Sequence, residues 1–266
     1  MRLPVKFDQP PVVEVVIGVM FRELDQMRAP HLGVFWSKLR EQFPVTEERP
    51  ALDPLIELMD PQAPIRMEFL STLPLPRIWL IAQDGRSLLQ IQRDRFLYNW
   101  KRVDATDSYP TYGQVIAKFE EHWRQFCRFV RDESLGNIEF RQFELTYVNH
   151  IRRESGLDIS GEYGLLVDHV RKNTPERFLP TPEGFDWRTV YRFPENAGRL
   201  HILARSLITP DRERFVQLDM TARGIPSDRT DIGRRAWFDL AHEWITHGFA
   251  DATSHETQLL GWRRTQ

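Results

Sequence analysis

A single cysteine, Cys127, stands in a chain of 266 residues. One thiol excludes an intrachain disulfide framework and a cysteine metal cluster. Its place inside a helical pattern predicts a small residue at the margin of a core. Long apolar runs are also lacking. Nothing approaches the roughly 18 residues of a membrane span, and Met1 to Asp8 carries no apolar signal region. No membrane contact and a prokaryote-like cytoplasm are therefore expected. Neither sign of charge is in excess: 36 Lys and Arg stand against 38 Asp and Glu, a formal net charge of -2. Proteins that hold duplex nucleic acid by bulk electrostatics are usually basic, so nucleic acid is not favoured, although a local basic patch stays open. Phosphate-loop, dinucleotide-glycine and calcium-loop patterns are missing, and no serine or cysteine sits in a nucleophile-elbow context. Hence no cofactor and no catalytic residue is assigned.

What is present is core. Apolar residues make up 41% of the chain, with eight tryptophans. From Tyr112 to Val130, the residues Tyr112, Val115, Ile116, Phe119, Trp123, Phe126 and Val130 recur at helical spacing. Charged and amide residues fill the intervals, the pattern of a helix laid on a sheet.

The remaining elements follow from period and breakers. Val13, Val15, Ile17, Val19 and Phe21 alternate as a strand. Pro30 opens a helix with Leu32, Phe35, Trp36, Leu39 and Phe43, stopped by Pro44. Val45 to Pro64 reads as a surface connection with room for a short strand. Strands are expected at Ile65 to Leu70, Arg77 to Gln83, Ser87 to Gln92 and Phe96 to Arg102, the last two joined by a tight Arg93-Asp94-Arg95 turn. In the second half, Asn137 to Arg152 is a long strand and Tyr163 to Lys172 a short helix. Thr174 to Gly184 is a loop. Phe185 to Phe193, Arg199 to Ile208 and Arg214 to Arg223 are strands. Asp231 caps a last helix running to about Ala250, whose apolar face includes Trp237, Phe238, Ala241, Trp244, Ile245 and Phe249.

This order predicts an α+β protein of two tandem β-α-β(3-4)-α units, residues 1–134 and 135–266, packed as one pseudo-symmetric body. Antiparallel sheet would carry long helices on one face. The duplicated order is similar to the sheet-saddle topology of TATA-binding-protein-like folds, a likeness that carries no function.

Four polar constellations stand out. The hairpin 86–102 carries Arg86, Arg93, Arg95, Lys101 and Arg102 against Asp94, with Phe96, Tyr98 and Trp100 on one face. Such aromatics either stack bases beside phosphate-binding cations or pack under helices, and packing is the commoner outcome. On the late strands, Arg188, Arg192, His201 and Arg205 fall at even spacing, with Gln217, Asp219 and Thr221 on the next strand. If strand parity unites them, the sheet presents a positive face with one carboxylate, suited to an anionic ligand. A solvated sheet face is the plainer alternative. Asp239, Glu243 and His247 stack along the last helix with His242 beside Asp239. Their spacing is not that of a zinc-protease helix, and a solvated face is the better reading. His150, at the end of the long strand after Tyr147 and Asn149, is a candidate for acid–base work.

Several stretches together resemble a sporadically distributed prokaryotic family of uncharacterised proteins of about this length. They are Pro10-Pro11-Val12-Val13-Glu14-Val15-Val16 with Phe21, Leu89 to Phe96 with Asn99-Trp100-Lys101-Arg102, and Tyr109-Pro110 with Tyr112. Asp239-Leu240-Ala241-His242-Glu243, Phe249 and Trp262 complete the set. The resemblance covers nearly the whole chain and brings no assigned reaction. It implies an accessory role, such as cargo of mobile or defence loci.

The expected function is a non-enzymatic binding protein that contacts a protein or small anionic ligand through its sheet face. Arg93, Arg95, Trp100, Arg188, Arg192, His201 and Arg205 are its candidate ligand residues. Single-stranded nucleic acid or nucleotide binding through hairpin 86–102 is the first alternative. An enzyme using His150 or the Asp239/Glu243/His247 row is the second. No metal ligands are assigned. Leu259, Leu260 and Trp262 are expected to dock on the core or on a second copy, which leaves a homodimer open.

Overall fold

A computed structural model describes residues 5–53, 56–57, 59, 75–104, 106–152 and 184–265. Among these, nine strands form one antiparallel sheet: β1 (Val12–Phe21), β2 (Val45–Arg49), β3 (Arg77–Ile81), β4 (Ser87–Gln92), β5 (Arg95–Lys101), β6 (Phe140–Arg152), β7 (Asp186–Arg192), β8 (Arg199–Ile208) and β9 (Arg214–Gly224). Four helices accompany them: α1 (Ala29–Ser37), α2 (Tyr112–Asp132), α3 (Asp231–Ala252) and α4 (His255–Leu260). The strand order is β2-β3-β4-β5-β1-β6-β9-β8-β7. β1 and β6 pair at the centre, Val15 opposite Tyr147 and Ile17 opposite Leu145.

Alternation sends one side chain set to each face of this sheet. On the helix side, Val15, Ile17, Val19, Leu89, Phe96, Phe143, Leu145, Leu218 and Met220 are fully buried. Phe119, Trp123 and Phe126 of α2 cover β5 and β1. Phe96 lies 5.0 Å from Phe126 and 5.7 Å from Trp123 between ring centroids. Trp237, Phe238 and Phe249 of α3 cover β6, β9 and β8, with Phe143 5.6 Å from both Trp237 and Phe238. Gly248 lets α3 come close, since a Cβ there would meet Leu200 Cδ2 at 2.9 Å.

The two long helices are joined by a charge clamp. Arg234 Nη1 and Nη2 donate to the two Glu120 oxygens at 2.7 and 2.9 Å. The guanidinium also lies over Phe119 and Trp123, 5.7 Å from each ring. Burial and bidentate geometry make this pair costly to break on one side alone.

The sequence reading needs three adjustments. α1 ends at Ser37 and continues as turns to Gln42, with Phe43 still in the core. The short strand allowed for after Val45 is present as β2, which pairs with β3. The cap of α3 is Thr230, whose Oγ1 accepts from the Gly233 N–H, and Asp231 is the first helical residue. Trp262 is buried against Phe249 and Phe7, while Leu259 and Leu260 stay exposed. Cys127 is half-buried at the core margin as expected. The strand expected at Ile65 to Leu70, the helix at Tyr163 to Lys172 and the loop from Thr174 lie outside the described residues. No helix of the described residues is long and apolar enough to cross a membrane.

Trp123 sits at the junction of α2 with Phe21, Phe96, Phe119 and Phe140. Trp123→Ala is expected to lower the unfolding free energy by about 3–5 kcal/mol. Ile232→Ala, at an exposed site on α3, should stay within about 0.5 kcal/mol. Urea titration followed by circular dichroism checks both.

Candidate functional site

The face of the sheet opposite the helices carries the polar members of the alternation. Register sets them in rows across the second half. Glu144, Arg223, Arg199 and Arg192 form one row over β6-β9-β8-β7. Thr146, Thr221, His201 and Val190 form the next, followed by Val148, Asp219, Leu203 and Arg188. His150, Gln217, Arg205 and Asp186 form the last. Strand parity therefore unites Arg188, Arg192, His201 and Arg205 on one face, with Gln217, Asp219 and Thr221 beside them.

Two of the cations are neutralised within the sheet. Arg223 Nε donates to Glu144 at 2.6 Å. Arg205 Nη2 donates to Asp219 at 3.1 Å, and Gln217 Nε2 donates to the same carboxylate. Arg199 and His201 converge on a carboxylate from elsewhere. Glu57 accepts from Arg199 through one oxygen and lies 2.8 Å from His201 Nε2 through the other. The far ring nitrogen, Nδ1, is 3.3 Å from Arg188 Nη2. A guanidinium can only donate, so Nδ1 accepts and Nε2 carries the proton. His201 is thus a neutral relay between an arginine and a carboxylate. Burial lowers its pKa and outweighs the opposing pull of Glu57. Burial would raise the Glu57 carboxyl, yet the bonds from Arg199 and His201 prevail and hold it below its ordinary value. Among the described residues Arg192 forms no ion pair.

Leu52 and Glu57 are each held on this face by a strand glutamine. The Leu52 N–H donates to Gln92 Oε1 at 2.9 Å, and Gln92 Nε2 donates back to the Leu52 carbonyl at 3.0 Å. The Glu57 N–H donates to Gln142 Oε1 at 2.6 Å. Gln92 is on β4 and Gln142 on β6, three strand spacings apart, roughly 14 Å.

The first half of the open face is a separate network. Gln90 Oε1 accepts from Arg77 at 2.9 Å and from Trp79 Nε1 at 3.1 Å, and Gln90 Nε2 donates to Asn99 at 2.8 Å. Asn99 Nδ2 donates to Glu14 at 2.5 Å. Arg49, Arg77 and Lys101 surround the Trp79 ring at 4.6, 5.4 and 5.2 Å.

The hairpin residues do not join the late-strand cluster. Phe96, Tyr98 and Trp100 all point to the helix side, and Trp100 packs on Tyr109 at 5.5 Å. Trp100 is a core residue, which corrects its assignment to a ligand surface. Arg93 Nη2 donates to the Met27 carbonyl and so ties the hairpin turn to a loop. Arg95 is buried and pairs with Asp94 through two bonds of 2.9 Å. The aromatics and the cations of this hairpin thus serve opposite faces, leaving no stacking platform beside phosphate-binding groups.

The remaining candidates separate as well. Asp239 accepts from Tyr112 at 2.8 Å and from Arg235. Glu243 and His247 line a cleft of about 360 Å³ with Trp187, Tyr191 and Trp244. His242 departs from the solvated row. It stacks on Tyr112 at 4.0 Å, and burial lowers its pKa to about 4. His150 sits on the open face, 4.7 Å from the Phe215 ring, and bonds to Gln217. Among the described residues no group of three or more His, Cys, Asp or Glu side chains is placed to hold a metal ion. Glu57, Gln92 and Gln142 were not anticipated. Their only sequence signal is an acidic residue in a proline-containing connection and glutamines at strand positions.

Two outcomes follow. The Glu57 carboxylate raises the pKa of His201, so Glu57→Gln should move the His201 midpoint to lower pH in imidazole nitrogen NMR. An unchanged or raised midpoint contradicts the pairing. For His242, the folded pKa of about 4 lies below the ordinary 6.5. Its stabilising contribution is complete above pH 6.5 and is lost as pH falls towards 4, because the unfolded chain takes up the proton first. His242→Phe should remove on the order of 2 kcal/mol of that loss, as read by urea titrations at pH 7 and pH 4. A comparison with protein-family models finds no match for this chain, and a comparison with curated proteins finds none either.

Proposed function

We propose that this chain is a binding protein whose open sheet face takes an anionic group of a protein or small ligand on the β7–β8 surface. The observation that carries the reading is the Glu57 carboxylate, which comes from a connection far away in sequence to lie between Arg199 and His201. Arg188 stands behind His201, and Arg192 extends the row. A site that gathers donors around one carboxylate accommodates another anion of similar size. The field of the neighbouring arginines adds attraction at low ionic strength.

Fold supports the same reading. Counting outwards from the centre, β1, β5, β4 and β3 hold the places that β6, β9, β8 and β7 hold on the other side. α2 follows β5 as α3 follows β9. We take residues 1–134 and 135–266 as two copies of one unit, in the manner of TATA-binding-protein-like saddles, with their free face turned to the partner. The sequence resemblance to a sporadically distributed prokaryotic family is in keeping with an accessory role.

Inorganic phosphate is the direct probe. Titrated at low salt into the Glu57→Gln variant, it should shift the His201 imidazole signals saturably. Arg188→Ala with Arg192→Ala should weaken the apparent affinity about tenfold, or 1.4 kcal/mol. Shifts spread evenly over all eight histidines, or equal affinity in the double variant, would remove the proposal.

A further inference from the structure

We infer that the cleft between β7, β8 and the C-terminal half of α3 binds a small organic cation, an alkylated ammonium group on a short apolar body. The cleft lies on the helix side of the sheet, opposite the anion surface, so neither reading rests on the other. Two alternations build it. On β7, Trp187 and Tyr191 stand opposite Ala204 and Leu200, both buried under α3, while Arg188 and Arg192 turn to the other face. On α3, Glu243, His247 and Asp251 recur every fourth residue and line the cleft beside Trp244.

The chemistry of the wall selects the ligand. Trp187, Tyr191 and Trp244 supply aromatic rings, Glu243 and Asp251 supply carboxylates, and no lysine or arginine lines the cleft. Asp239, one turn earlier in the same helical row, is engaged by Tyr112 and Arg235. Glu243, His247 and Asp251 differ, because among the described residues their side chains form no ion pair or hydrogen bond. Their charge is therefore uncommitted. An aromatic face attracts a cation held within about 6 Å of its centre, and a weakly hydrated alkylated ammonium gains most from it. A metal ion does not suit the same wall, since among the described residues no three His, Cys, Asp or Glu side chains are placed to hold one.

Size and floor agree with that class. The volume of about 360 Å³ falls at the low end of the roughly 300–1,000 Å³ of small-molecule sites. Leu200 and Ile202 are buried beneath it, and Gly248 lets α3 close against Leu200. Trp244 is steadied by Phe193, 4.7 Å away between ring centroids. Tyr191 remains 43% exposed, ring surface that a bound ligand would cover. An alkyl body would rest on the aliphatic floor, with its ammonium head among the rings and near the two carboxylates.

The test uses the full chain with isotope-labelled indoles and choline as the probe. The eight tryptophans give eight indole N–H signals, and Trp187→Phe and Trp244→Phe assign the two in the cleft. Choline titrated to about 50 mM should shift those two saturably and leave the others in place. Neopentyl carbinol, its uncharged carbon analogue, should bind about tenfold more weakly. Glu243→Gln combined with Asp251→Asn, both at exposed positions, should weaken choline about tenfold. Tyr191→Ala should weaken it about threefold. Circular dichroism melts establish that each variant folds. No shift at either cleft indole overturns the inference, as does equal affinity for choline and its uncharged analogue. So does unchanged choline affinity in the carboxylate double variant or in Tyr191→Ala. A lysine-rich peptide that shifts the two indoles where choline does not also overturns it.

Discussion

The antiparallel pairing of β1 with β6 is the constraint on which the molecule rests. It joins strands separated by more than a hundred residues and so turns two local meanders into one sheet. Register follows from burial. Val15, Ile17, Val19, Phe143, Leu145 and Tyr147 must all face the helices, and a slip of one residue would send every one of them to the other side. Once that register is set, the opposite face is set too. Glu14, Glu144, Thr146, Asp219, His201 and Arg188 have nowhere else to point. The polar surface is thus a consequence of the core and needs no separate instruction.

Above the sheet, the core is aromatic and shared. Phe119 of α2 and Phe238 of α3 meet at 5.4 Å, and Arg234 spans from α3 to Glu120 across the same boundary. The buried guanidinium is satisfied by two carboxylate oxygens and two ring faces, so its desolvation is offset locally. Tyr112 continues the boundary at the other end of α2. Its hydroxyl donates to Asp239, and burial, then the nearby Asp239 charge, raise its pKa. The two helices are therefore tied into one layer at both places.

Much of the build was legible because period reports burial. α2 is readable from Phe119, Trp123 and Phe126, and β8 from Leu200, Ile202 and Ala204 alternating with His201 and Leu203. Parity on β7, β8 and β9 was enough to place Arg188, Arg192, His201 and Arg205 together. Other parts were illegible for physical reasons. Period two says that Phe96, Tyr98 and Trp100 share a face but not which face, so packing was the commoner expectation yet Trp100 stayed open as a platform until α2 was in place. His242 carries a titratable ring in an otherwise solvated row, and only the stacking of Tyr112 from a distant helix draws it inward. Glu57 is the hardest case. A carboxylate in a connection has no periodic signal, and its partners, Arg199 and His201, lie more than 140 positions away.

The edges of the sheet carry a final consequence. Among the described residues β2 and β7 end the strand order, and a free edge is a template for endless strand addition between molecules. β2 guards its side with Glu47, Glu48 and Arg49. β7 guards the other with Asp186, Arg188 and Arg192, so the arginines of the proposed anion site also keep neighbouring molecules apart. Neutralising that charge would discharge the guard and leave β7 more prone to strand addition between molecules.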